Sequence, residues 1–197
     1  MLEVELKSVV DDLDVRRRAV EEAGGVLRFA RRLEDRRYDT AERTLRVRDH
    51  VLRVRVHADA GRTRATLDWK GPTFERDGYK VREEVVVAVD DPVVVAALLD
   101  RLGYVVTQAI DRDVWEYELP GATVRFERYP HMDPLVEVEG IPPAIERAVA
   151  ATGLPRGGFT SERLADFVRR FEARTGTRAA LSHTDLAGVD GYDVADA

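Results

Sequence analysis

The chain has 197 residues, 44% of them hydrophobic, and a formal net charge of −6, so it is long enough for one large domain and lacks the basic excess of a non-specific nucleic-acid binder. It contains no cysteine, which excludes disulfides, thiolate metal sites and cysteine nucleophiles and leaves oxygen and imidazole as metal ligands. No apolar run approaches the length of a membrane span and the first residues already read as a charged strand; the expectation is a soluble, cytoplasmic protein without membrane helix or signal peptide.

In chain order, residues 2–9 alternate apolar and charged side chains with a period of two and predict a strand. Residues 12–23 predict a helix with an Asp-rich start and a Gly24-Gly25 stop. Alternation then predicts strands at 44–49, 51–57, 64–70 and 79–89. A second helix follows, with Asp91 as N-cap, Pro92 in its first turn and Gly103 beyond its end. Strands come next at 113–119, 123–128 and 135–139. A third helix after Pro142 and Pro143 ends near Gly153, and a fourth begins near Thr160 or Ser161. The fourth places Leu164, Phe167, Val168 and Phe171 at helical spacing before Gly176.

The reading is an α+β chain with about eight strands, enough for a barrel. The last sixteen residues, SHTDLAGVDGYDVADA, hold four Asp and no Lys or Arg, so residues 178–197 are expected to form an acidic, flexible tail on a domain spanning 1–177, with a docked lid as the alternative. A weak internal repeat at an offset of 79 lays Asp11 over Asp90, Asp12 over Asp91, Gly24 over Gly103 and Glu3 over Arg82. Both halves read as charged strand, Asp-Asp turn, helix and glycine stop, which suggests two βα halves closing one sheet.

Alternation also sorts the charges. Glu3, Glu5 and Lys7 share one strand face, as do Arg46 with Arg48, Arg53 with Arg55, Asp68 with Lys70, Lys80 with Arg82 and Glu84, Arg125 with Glu127, and Glu137 with Glu139. Any one pair is explained by a solvated sheet face with cross-strand ion pairs. The set is not, because like charges side by side repel unless an anion lies between them. The ExE pairs at Glu3/Glu5 and Glu137/Glu139 are hard oxygen ligands of the kind Mg²⁺ or Mn²⁺ prefers, and arginines and lysines hold phosphate. A polyanion with a divalent ion accounts for both signs.

These segments resemble the CYTH superfamily, the triphosphate tunnel metalloenzymes that include class IV adenylate cyclases, thiamine triphosphatases and inorganic triphosphatases. EVELK at 3–7 matches the ExExK signature; DRRYDT at 35–40, LRVR at 52–55, LDWKGP at 67–72, REE at 82–84, RDVW around Arg112 and LVEVEG at 135–140 follow in the family's order. The resemblance runs from residue 2 to about 176. It implies a closed eight-stranded antiparallel β-barrel whose bore takes the triphosphate, with flanking helices and a C-terminal helix. It also implies metal ligands at Glu3, Glu5, Glu137 and Glu139, with Glu84 and Glu127 as further candidates. Phosphate contacts would be Lys7, Arg53, Arg55, Lys70, Lys80, Arg82, Arg112 and Arg125.

Two departures stand out: Ile110 occupies a position where the family usually carries a basic residue, and Glu127 one where many members have Asp. The expected activity is divalent-metal-dependent phosphohydrolysis of inorganic triphosphate, thiamine triphosphate or a nucleoside triphosphate such as ATP, by a monomer or homodimer. Class IV-type cyclisation of ATP to cyclic AMP and pyrophosphate is the alternative, and a non-catalytic polyphosphate or nucleotide binder the third reading. Lys7, among other cations, is expected either to contact phosphate or, with a depressed pKa, to act as base. His50, His57 and His183 read as surface residues, His131 as a gate near one mouth, and Tyr38 as a packing residue.

Overall fold

The computed structural model describes residues 2–59, 62–189 and 191. The described residues form nine strands: β1 (Leu2–Val9), β2 (Val26–Thr40), β3 (Val51–Asp59), β4 (Arg62–Lys70), β5 (Phe74–Arg76), β6 (Tyr79–Val89), β7 (Tyr104–Leu119), β8 (Ala122–Arg128) and β9 (Leu135–Gly140). The helices are α1 (Leu13–Glu22), α2 (Thr44–Val47), α3 (Pro92–Arg101), α4 (Pro142–Ala151), α5 (Leu164–Thr175) and α6 (His183–Leu186). Eight strands close an antiparallel ring in the order β1-β9-β8-β7-β2-β3-β4-β6 and back to β1, with β5 on the edge of β6. The two strands related by the internal repeat are neighbours at the closure, and Glu3 lies directly opposite Arg82.

The helix starts follow from their caps. Asp12 accepts from the backbone N–H groups of Asp14 and Val15, and Asp91 from those of Val93 and Val94, satisfying donors that no carbonyl of the first turn can reach. The fourth long helix starts later than expected, at Leu164, where Asp166 accepts from the Arg163 N–H. Thr160 instead exchanges two backbone hydrogen bonds with Lys7, covering an edge of β1 that β6 does not reach.

The expected number of ring strands is right, but not their membership. Residues 44–49 alternate like a strand and form α2 and its flanking turns, because the Asp39 carboxylate gathers the N–H groups of Thr40, Leu45 and Arg46. Arg43 and Asp49, on either side, adopt left-handed φ values of 59° and 56° that no strand accommodates. The unexpected ring strand is β2. Its sequence, VLRFARRLEDRRYDT, is charged on both faces and shows no clean period. The outer face is polar because the C-terminal segment docks there: Asp111 on adjacent β7 accepts from Arg36, and its N–H donates to the Leu181 carbonyl.

That docking revises the expected tail. Ala179, Ala180, Leu181, Ser182 and Asp185 are buried, and Ala180 pairs with His131, so residues 179–186 are part of the packed structure. Residues 190 and 192–197 lie outside the described residues.

Two of the three apolar clusters lie outside the ring. Leu6, Tyr117, Phe126, Val136, Val138 and Ile145 pack between the β1-β9-β8-β7 wall and α4; Tyr38, Val54 and Leu99 pack beneath α3. Ile110, Tyr129 and Leu135 pack against Phe167, Val168 and Phe171 of α5. Each fully buried large apolar side chain contributes about 1.5–3 kcal/mol. The first two clusters hold the ring closed from outside; the third lies on its inner face, where Ile110 and Tyr129 line the bore beside the charged side chains. Among the described residues no helix is long and apolar enough to cross a membrane.

Candidate active site

The inward positions of the ring enclose a cavity of about 340 Å³ whose lining is largely charged. β1 supplies Glu3, Glu5 and Lys7; β3 supplies Arg53 and Arg55; β4 supplies Lys70; and β6 supplies Lys80, Arg82 and Glu84. Arg112 comes from β7, Arg125 and Glu127 from β8, and Glu137 and Glu139 from β9. Every metal and phosphate candidate of the sequence therefore faces one cavity. The cavity reaches the surface beside α2 and the start of α5, where Arg46, His50, Arg163 and Leu164 line it.

Within the cavity, one carboxylate oxygen from each of Glu3, Glu137 and Glu139 lies within 4.8 Å of the others. Glu139 shows the strain of this arrangement: burial, then the Glu137 and Glu3 charges, push its carboxyl up to about 7. Local backbone crowding sets its place, because a Cβ at the next residue, Gly140 (φ 155°), would sit 2.4 Å from the Gly121 carbonyl oxygen. An all-carboxylate, mutually repelling cluster with no imidazole or thiolate fits a hard divalent cation.

The other three acidic candidates are spoken for by cations. Glu5 lies 2.5 Å from both Lys7 and Lys80. Burial and Glu137 oppose its ionisation, but Lys7, Lys80 and Lys70 outweigh them and keep its pKa below the ordinary value. Glu84 approaches Lys70 at 3.3 Å and Arg53 at 3.6 Å, and Glu127 accepts from Arg112 at 2.8 Å and from the Tyr129 hydroxyl. Two members of the acidic cluster carry an ammonium partner as well: Lys70 sits 2.7 Å from Glu3, and Lys7 2.7 Å from Glu137.

At the centre of the basic wall stands Asp35 on β2, only 1% exposed. Arg55 reaches it through two nitrogens at 2.8 and 3.0 Å, Arg112 at 3.0 Å and Arg53 at 3.4 Å. Burial opposes its charge, yet Arg55, Arg112 and Arg53 hold its carboxyl well below the ordinary range. Arg53 also places two nitrogens on Asp68, at 2.8 and 2.6 Å. The arginines are thus fixed in a fan by two carboxylates.

Sequence reasoning assigned no role to Asp35 or Asp68, nor to Arg37, which lines the cavity from β2, or Tyr129. Their signal was weak because β2 lacks alternation; the DRRYDT segment was the available clue. Arg46 lines the mouth from a helix rather than a strand, and Arg48 is exposed and outside the lining. His50 and His57 are not free surface groups: His50 lines the cavity and packs edge-on against Trp69, and His57 packs against Phe29. Of the two roles expected for Lys7, phosphate contact or base, its charge state suits the first. Burial favours its neutral form, but Glu137 and Glu5 raise its pKa above the ordinary lysine value, so it is held as an ammonium. The lysine shifted downward is Lys80, by burial and then by Lys7.

The sequence profile of the CYTH domain matches residues 1–141, and the chain belongs to the CYTH family, whose members are metal-dependent triphosphatases or adenylate cyclases acting on triphosphate substrates. No functionally curated protein matches the chain significantly. Among solved structures, PH1819 from Pyrococcus horikoshii is similar at 24% identity with a TM-score of 0.72, over 85% of this chain and 98% of that one. A candidate adenylate cyclase from Vibrio parahaemolyticus is similar at 19% identity and a TM-score of 0.73, over 86% and 98%. HpAC1 from Hippeastrum, a candidate adenylyl cyclase described as having a dominant triphosphatase activity, matches at 15% identity and a TM-score of 0.62, over 92% and 99%. At these identities the likeness establishes the fold.

Proposed function

We propose that the protein is a divalent-metal-dependent phosphohydrolase that removes the terminal phosphate from a triphosphate held in the bore. The observation that carries this reading is the juxtaposition in one cavity of a three-carboxylate cluster and a fan of buried arginines and lysines. Glu3, Glu137 and Glu139 would hold Mg²⁺ or Mn²⁺. When bound, the ion supplies charge neutralisation and polarisation at a phosphoryl oxygen.

The chain's own groups do the remaining work. Arg53, Arg55 and Arg112, oriented by Asp35 and Asp68, present planar donors to phosphate oxygens without having to be ordered on binding. Lys7, Lys70 and Lys80 each meet a carboxylate of the bore, within reach of an anion that competes for them. Lys7, held protonated, acts as an anion contact, and the base role once open to it has no support. In hydrolysis a water oxygen forms a bond to the terminal phosphorus, the bridging P–O bond breaks, the diphosphate product leaves with its electron pair, and of the water's two protons one stays on the released phosphate and the other passes to solvent.

Hydrolysis is favoured over cyclisation because adenine would need an open ring platform. Of the rings in the lining, Tyr38 packs with Val54 and Leu99, Tyr129 is buried and donates to Glu127, and His50 is engaged edge-on with Trp69. The dominant triphosphatase activity described for HpAC1 agrees. The acidic cluster argues against a pure anion binder, which gains nothing from carboxylates beside its ligand.

The test is product analysis with Mg²⁺ or Mn²⁺ and inorganic triphosphate, thiamine triphosphate or ATP as substrate. Free phosphate with a diphosphate product supports hydrolysis. Cyclic AMP with pyrophosphate from ATP replaces it with the cyclase reading, and binding without turnover leaves a non-catalytic module.

A further inference from the structure

α3 is apolar on every side. Its sequence, PVVVAALLDR, carries charge only in its last two residues, whereas α1, LDVRRRAVEE, is mostly charged, as a helix with one wet face is. Val95, Ala96 and Leu99 point inward and pack with Leu52, Val54 and Leu67 of β3 and β4. Burial of that face leaves the other unexplained: Val93 and Leu102 are exposed, as are Val94 at 63% and Leu98 at 55%.

The sheet beside α3 is uncovered too. Lys80, Arg82 and Glu84 face the bore, so Val85 and Val87 face outward, where both are exposed. Val87 lies directly across from Leu67, at the margin of what α3 covers. Single exposed valines are ordinary, but six apolar side chains on adjoining elements mark an interface. With a polar rim they offer area comparable to the roughly 800 Å² per partner that a standard interface buries.

Spacing along α3 identifies the partner. Asp91, Val94, Leu98 and Arg101 recur every three or four residues and share one flank. Asp100 lies about 100° round the helix from Arg101, off that flank. The flank reads acid, apolar, apolar, base, an order that complements itself when reversed. A second α3 laid antiparallel sets Val94 against Leu98 and Asp91 against Arg101, and brings opposite ends of the two helix dipoles together. The helix cap uses Asp91 Oδ1, which leaves Oδ2 for the guanidinium.

We propose that the protein forms a homodimer across a twofold axis at α3, with Val94 and Leu98 at its centre, an Asp91–Arg101 pair at each end and the outer face of β6 at its margin. This contact is independent of what the bore binds.

The experiment is sedimentation velocity of the intact chain from about 1 to 100 μM, with wild type expected at twice the chain mass at the upper end. Leu98→Glu, which sets an unpaired carboxylate against Val94, should weaken association about 100-fold or more. Because Leu98 is exposed in the single chain, its circular dichroism should stay that of the wild type. Arg101→Glu should weaken association about tenfold by removing both end pairs, and Arg101→Lys, which keeps the charge, less than about threefold. Val15→Glu, at an exposed apolar position on α1, should sediment as wild type. A wild type that is monomeric throughout, a dimer that survives Leu98→Glu, or one that Val15→Glu dissociates equally well overturns the proposal. Flotation of a monomeric wild type with phosphatidylcholine vesicles would overturn it in favour of a lipid surface.

Discussion

Two buried carboxylates in the same bore behave in opposite ways. Asp35 is met by three guanidinium groups and stays ionised far below the ordinary range, whereas Glu139 is met by two other carboxylates and is pushed up to about 7. Both are desolvated, so burial does not distinguish them; the sign of their neighbours does. A carboxylate satisfied by the protein belongs to the scaffold that aims the arginines. One that is repelled by its neighbours holds a position the fold does not complete, which is where an external cation has the most to gain.

The comparison breaks first on activity. Glu3→Gln or Glu137→Gln is expected to reduce metal-dependent phosphate release about 100-fold or more while circular dichroism stays that of the wild type. Turnover close to wild type in either variant would remove the acidic cluster from the mechanism. Asp35→Asn should act on the fold instead, costing about 3–5 kcal/mol at pH 7 in urea denaturation, because it strands buried arginines without their counter-ion. The sign with pH follows from the lowered carboxyl. Its stabilisation is complete above the ordinary value of 3.8 and is lost as pH falls from there toward the folded-state pKa, so the gap between wild type and Asp35→Asn narrows in acid. A gap that stays constant down to pH 3 would show that Asp35 is not the anchor.

Much of this was readable in the sequence, for a physical reason. Strands such as β1 and β9 separate two faces by alternation, so spacing alone puts Glu3 with Glu5 and Glu137 with Glu139, the family resemblance turns that face into the bore, and Asp12 and Asp91 announce their helices by cap chemistry. β2 was illegible because its outer face is polar too, covered by the docked segment around Leu181 rather than by an apolar helix. Residues 44–49 misled because a side chain outside the window, Asp39, decides their conformation. Partnership was the least legible property. Spacing puts Glu5 and Glu139 on one face, yet only the closed ring reveals that lysines hold the first while carboxylates confront the second.

The smallest expected effect sharpens the contrast most, because its sign is the reverse of the usual one. In the metal-free protein, folding penalises the ionised form of Glu139. That penalty is absent below the ordinary value of 4.5, grows as pH rises toward about 7, and is complete above it. Replacing the carboxylate with a neutral isostere removes it. Glu139→Gln should therefore be more stable than wild type at pH 8, by about 1–2 kcal/mol once its partial exposure is allowed for, and indistinguishable from it near pH 4. Adding Mn²⁺ at pH 8 should raise the wild-type melting temperature and leave the variant nearly unmoved, since the ion now supplies the positive charge whose lack made Glu139 costly. A variant less stable than wild type at pH 8 would mean that Glu139 is satisfied within the protein after all, and the distinction between the two carboxylates would fail.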